Sequence, residues 1–188
     1  MTDDTMRQAV LQAAGLMAAA ARTAPKAGGK DHLEIVVVSD PADLARIAAA
    51  MRDYAPQSTN EAYWLRDAAN IEAAQALLLI GLGKSAAAGY DCGACGQATC
   101  ADFTKSRVVA DKPMGYDGPH CVMRMMDIGV ALSSAAKAAS LLSIDNRVQQ
   151  RVGAAARALG YIHAGVAMGI PVGVYGKSIF YDRAAAKH

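Results

Sequence analysis

Apolar positions recur at helical spacing from about Met6 to Arg22, with Gly15 the one breaker, which predicts a buried or dimer-facing helix. Pro25 and the Gly28-Gly29 pair then force a loop. Leu33 to Ser39 (L-E-I-V-V-V-S) is dense in β-branched residues and reads as a central strand. Ser39-Asp40-Pro41 opens a helix to about Tyr54, with Pro41 in its first turn and Asp43 beside the positive end of its dipole. After a polar turn at 55–60, a short helix or irregular stretch carries Tyr63 and Trp64. Ala74 to Gly83 is a continuous apolar run whose period does not separate strand from helix, and glycines 81 and 83 favour a strand ending there. Thr99 to Val109 predicts a short helix with Cys100 near its start. The segment after Cys121 is small and apolar on most faces, the pattern of a buried helix at a subunit interface. A polar break at 144–147 precedes a helix from Val148 to Leu159 that stops at Gly160, then a strand from Val166 to Val174 and a tail. The expected class is a layered α+β fold: helix-rich, with a small central β-sheet flanked by helices and a four-cysteine loop inserted. The chain reads as one domain over 1–188, with a helix/strand half to 89, a four-cysteine region at 90–183 and a frayed end at 184–188.

Composition narrows the core. Hydrophobic residues make up 53% of the 188 but aromatic residues only 5%, so the interior is built from Ala, Leu, Val, Ile and Met, which favours closely packed helices. Trp64, the single tryptophan, reads as an apolar anchor rather than a stacking platform. A net charge of +2 makes no case for nucleic acid or an anionic membrane surface. No apolar run approaches the roughly twenty residues that a spanning helix requires. Met1-Thr2-Asp3-Asp4 lacks the charged start of a secretory signal, and the expectation is a cytoplasmic protein.

All four cysteines lie between 92 and 121. Cys92, Cys95 and Cys100 follow the spacing C-x2-C-x4-C, and Cys121 comes after a twenty-residue gap. A tight triplet plus a remote fourth thiolate suits a single [4Fe-4S] cube, whose three near corners are reached from one wrapped loop. Gly93 and Gly96 supply the backbone freedom such a wrap needs. His120, beside Cys121, is a candidate hydrogen-bond donor to the cluster or an ordinary loop histidine. A structural zinc site also takes four thiolates, although its ligands usually form two C-x2-C knuckles and only one is present. Two disulfides, or four unrelated thiols, complete the alternatives. Elsewhere, Lys26 and Lys30 are either an anion site or solvated loop lysines. In the tail, Lys177 reads as a candidate for an anion or substrate site. Asp182 and Arg183 face a partner set in Asp145 and Arg147, and a pair Asp145–Arg183 or Asp182–Arg147 would clamp the last strand.

The motifs C-G-A-C-G-x3-C, G-P-H-C, D-I-G-V-A-L-S-S-A, I-D-N-R-V and G-I-P-V-G-V-Y-G-K-S-I-F-Y-D-R fall in one order over about 90–183. In that order they resemble the prokaryotic ferredoxin domain-containing DUF2148 family. The resemblance implies an iron–sulfur site on Cys92, Cys95, Cys100 and Cys121, with Ser178 standing where asparagine is expected. The remaining order, from the first helix through R-T-A-P-K-A-G-G, I-V-V-V-S-D and the last strand ending M-G-I-P, resembles nitroreductase-like flavoproteins, which are intertwined dimers of a helix-flanked sheet. Arg7 and Arg22 substitute poorly for the arginine-rich flavin phosphate motif of that group, which implies a shared fold with the flavin lost. Three functions stand as expectations. The favoured one is single-electron transfer by a [4Fe-4S] homodimer to an unidentified redox partner protein in an anaerobic system. The others are an FMN-dependent oxidoreductase with an accessory cluster, and a non-catalytic interaction protein with a structural four-cysteine zinc or cluster site. No catalytic residue is assigned.

Overall fold

The structure is a computed structural model that describes residues 2–83, 87–108 and 112–182. Its helices are α1 (Thr2–Thr23), α2 (Pro41–Tyr54), α3 (Glu61–Glu72), α4 (Cys100–Lys105), α5 (Val122–Leu141) and α6 (Gln150–Ala158). Its strands are β1 (Leu33–Val38), β2 (Ala76–Leu82), β3 (Asp145–Asn146) and β4 (Val166–Gly173). The strands form one antiparallel sheet in the order β1-β2-β4-β3.

β2 sits inside this sheet with every residue buried, which is why its sequence shows no alternation: a strand covered on both faces needs apolar side chains at every position. Leu78, Ile80 and Leu82 point to one layer, with Val10, Ala14 and Met17 of α1 and Ala131, Ala135 and Ala139 of α5. Leu77 and Leu79 point to the other, with Leu44, Ile47 and Met51 of α2, Trp64, Ala68 and Ile71 of α3, and Val152 and Ala155 of α6. Much of the apolar surface of α1 and α5 is therefore used within the chain. Small residues set the spacing of the second layer. A Cβ on Gly153 would lie 2.1 Å from the carbonyl oxygen of Ala167, so α6 can rest directly on the β4 backbone.

The predicted strands and the helix at 41–54 lie where the sequence places them, and Trp64 is the expected anchor, 6% exposed with its Nε1 donating to Ser58 Oγ at 3.0 Å. Three differences have physical causes. The stretch around Trp64 is a full helix, α3. The expected break at 144–147 contains β3, which pairs Asp145 with Gly173 and Asn146 with Val172. The helix begun at Cys100 ends at Lys105, because Val108 bridges to Gly118 instead.

Two expectations about charge are corrected. Lys26 is no anion ligand. Its side chain is 5% exposed, and Nζ donates to the carbonyls of Ala21, Arg22 and Ala24 at 2.5–3.0 Å, where it caps the negative end of α1. In the tail, Arg147 donates to the Phe180 carbonyl oxygen at 2.6 Å and lies over the Tyr181 ring, while Asp182 pairs with Lys177 at 2.9 Å. The tail is held by Arg147, but through a carbonyl and an aromatic face. The Asp145–Arg183 pair lies outside the described residues. Among the described residues no helix is long and apolar enough to cross a membrane.

Candidate metal centre

The chain leaves the sheet after β2 and returns to its core at Cys121. Both ends of this excursion meet at Gly165, whose N–H donates to the Leu82 carbonyl and whose carbonyl accepts from the Asp117 N–H, each at 3.0 Å. Within it, Gly96 N–H donates to the Gly93 carbonyl at 2.9 Å, closing a turn that needs positive φ at both glycines (70° and 82°). Asp91 reaches across to accept from the Cys100 N–H at 2.6 Å, tying the two ends of the triplet together. Thr99 caps α4: its Oγ1 accepts from the Asp102 N–H and its hydroxyl donates to the Asp102 carboxylate, a reciprocal cap that fixes Cys100 on the first turn.

Cys92, Cys95, Cys100 and Cys121 all line one recess, partly open to solvent, together with Tyr90, Phe103 and Val122. All four thiols are free; Cys92 is exposed, Cys95 and Cys100 are half-buried, and Cys121 is buried. Among the described residues, no three His, Cys, Asp or Glu side chains converge closely enough to hold a metal ion. The four thiols share one recess without forming a closed ligand set. Cys121 is the N-cap of α5, so the first-turn amides of a 20-residue helix, and the positive end of its dipole, open towards the recess.

Residues remote in sequence hold this arrangement. Arg157 on α6 donates through Nε to the Ala164 carbonyl (2.8 Å), through Nη1 to the Gly115 carbonyl (3.0 Å) and through Nη2 to Asp117 (2.7 Å), pinning the return leg of the loop to the approach to β4. The Tyr116 hydroxyl lies within hydrogen-bond reach of the carbonyls of Gln150 and Ala167, and burial pushes its pKa up. Arg124, 1% exposed, pairs with Asp127 at 3.0 Å and donates to the carbonyls of Ala27 and Lys30, while the Ala27 N–H donates to Asp127 at 2.7 Å. None of these residues stood out in the sequence. The available signal was a charged pair three residues apart on a helix otherwise apolar on most faces, which only a buried ion pair explains.

His120 does not line the recess. Its ring packs against Gly165, where a Cβ would approach the imidazole Cε1 to 3.3 Å and Arg107 Nη2 to 3.5 Å. Both ring nitrogens are shielded and have no hydrogen-bond partner among the described residues. Burial, and then the charge of Arg107, hold its pKa below the usual histidine value. The two arginines weighed as flavin phosphate ligands are engaged internally: Arg7 with the Ser39 carbonyl, Arg22 with Asp31 and the Leu33 carbonyl.

A helix-flanked antiparallel sheet with this order of elements has the nitroreductase-like fold. A nitroreductase with bound FMN from Desulfitobacterium hafniense superposes with a TM-score of 0.56 at 16% identity, over 89% of this chain and 77% of that one. A BluB-like flavoprotein from Clostridium difficile gives 0.55 at 14% identity, over 94% and 84%. Nitroreductase A from Vibrio parahaemolyticus gives 0.51 at 16%, and the chain spans 59% of its length. At these identities the likeness is one of fold alone. The chain belongs to the family described as uncharacterized proteins containing a ferredoxin domain (DUF2148), whose profile matches residues 117–183. An uncharacterized protein of Archaeoglobus fulgidus is 43% identical over 185 residues, covering 98% of this chain and 97% of its own length. The matched segment contains Cys121, and the triplet lies before it.

Proposed function

We propose that this chain binds one [4Fe-4S] cluster through Cys92, Cys95, Cys100 and Cys121 and passes single electrons in an anaerobic redox system. The observation that carries the reading is that every cysteine of the chain faces one recess. One feature of the fold adds support. The first-turn amides of α5 supply donors and dipole for a negatively charged thiolate cage, and the positive φ of Gly93 and Gly96 lets the loop wrap it. When bound, the cluster supplies a one-electron couple. The protein's part is asymmetric: Cys121 anchors it in the core, and exposed Cys92 leaves one edge open for exchange with a partner.

Anaerobic purification followed by iron, sulfide and visible and EPR spectroscopy tests this. About four irons and four sulfides per chain are expected, with loss of the signal in Cys95→Ser and Cys121→Ser. Two irons per chain, stoichiometric zinc, or wild-type iron content in both variants overturns the assignment. Release of stoichiometric FMN by acid favours the flavin reading, for which fold likeness is the support.

A further inference from the structure

We infer that Tyr90 is a positioning residue that shields the open edge of the cluster site and governs how fast small oxidants reach it, with Gly28 as its prop. The inference rests on the cluster reading and names a control on that same site.

Tyr90 lines the recess two residues before Cys92, the most exposed of the four cysteines, and is itself 51% exposed, so its ring stands between the recess and solvent. Its far end is not free. A Cβ on Gly28 would lie 3.2 Å from the Tyr90 hydroxyl oxygen, so the phenol rests on the Gly28 backbone, which holds φ at 64°. That prop is fixed in turn. The neighbouring Ala27 donates its N–H to Asp127 and gives its carbonyl to Arg124, which also takes the Lys30 carbonyl. Arg124 and Asp127 stand on the opening turns of α5, the helix that begins on Cys121. One helix therefore anchors the buried cysteine and braces the loop that supports the aromatic ring on the opposite side. An exposed tyrosine with no tertiary support would swing away from the recess. Glycine suits position 28 through its positive φ, and a Cβ there would press on the hydroxyl.

The test compares wild type, Tyr90→Phe, Tyr90→Ala and Gly28→Ala after anaerobic loading. Iron content is measured first, then the rate of loss of visible absorbance on admission of air and the rate of oxidation by ferricyanide. A second readout needs no cluster: the alkylation rate of Cys121 in apo-protein, mapped by mass spectrometry. The expected result is full loading throughout, a several-fold faster bleaching and alkylation in Tyr90→Ala, a smaller acceleration in Gly28→Ala, and wild-type rates in Tyr90→Phe, which keeps the ring. Equal rates in Tyr90→Ala and wild type overturn the inference, as does a Tyr90→Phe variant as fast as Tyr90→Ala. Should Tyr90→Ala fail to retain iron, Tyr90→Leu and Gly28→Ala carry the comparison, and wild-type rates in both overturn it. A wild-type protein that never holds iron defeats the cluster reading instead, and the two failures are distinct.

Discussion

Among the described residues, Arg124 is the largest fully buried side chain, and its charge is balanced by one carboxylate and two carbonyls. Arg124→Ala leaves a charged Asp127 in a dry site with only the Ala27 N–H to hold it, so a loss of about 3–5 kcal/mol is expected by chemical denaturation. Arg151→Ala is milder, about 1 kcal/mol, because Arg66 still holds the buried Asp67 and Arg151 is 22% exposed. Tyr175 gives a pH dependence. Burial, and then the nearby charge of Asp145, push its pKa up to about 12, while its hydroxyl donates to the Ala73 carbonyl. A phenol raised in the folded state stabilises fully below its ordinary value near 10, and that contribution is lost as pH rises towards 12. Denaturation curves measured across this window should show a falling alkaline limb, reduced in Tyr175→Phe.

Among the elements, α6 makes the closest approach and the loop depends on it. Gly153→Ala drives a Cβ into the β4 backbone, which cannot shift as a side-chain tip can, so a loss at or beyond the usual 1–3 kcal/mol of overpacking is expected in a thermal melt. Arg157→Ala should leave the sheet intact but free the 115–117 leg, seen as faster amide exchange there and faster iron release to a chelator. How much of this was legible in the sequence depended on whether the cause was local. α2 was clear because Asp40 caps it, accepting from the Ala42 N–H at 2.8 Å, and Pro41 starts it. α3 was obscure because two of its buried positions, Asp67 and Asn70, are polar and interrupt the apolar stripe of Trp64, Ala68 and Ile71. β3 is two residues long and carries no pattern of its own. At the candidate site the four cysteines were visible as residue types. Their supports were not, since Arg157 and Arg124 act on carbonyls 42 and 97 residues away, and any residue offers a carbonyl.

For the whole molecule, we propose a two-fold homodimer centred on the outer face of α5, where Met126 (58%), Val130 (40%) and Leu141 (76%) remain exposed beside Gly129, Ser133 and Ser134. Light scattering should give twice the 19.5 kDa chain mass, and the double variant Met126→Glu, Val130→Arg should halve it. A wild-type chain that stays single at micromolar concentration contradicts the proposal. The meeting of Leu82 and Asp117 on Gly165 has a different consequence. Because the excursion starts and finishes at one residue of the scaffold, the scaffold does not need it to connect β2 to α5, and closing a shorter path there costs little entropy. Replacing residues 84–113 with a short Gly/Ser bridge should therefore leave a cooperatively melting, cofactor-free protein in which Cys121 stays behind alone.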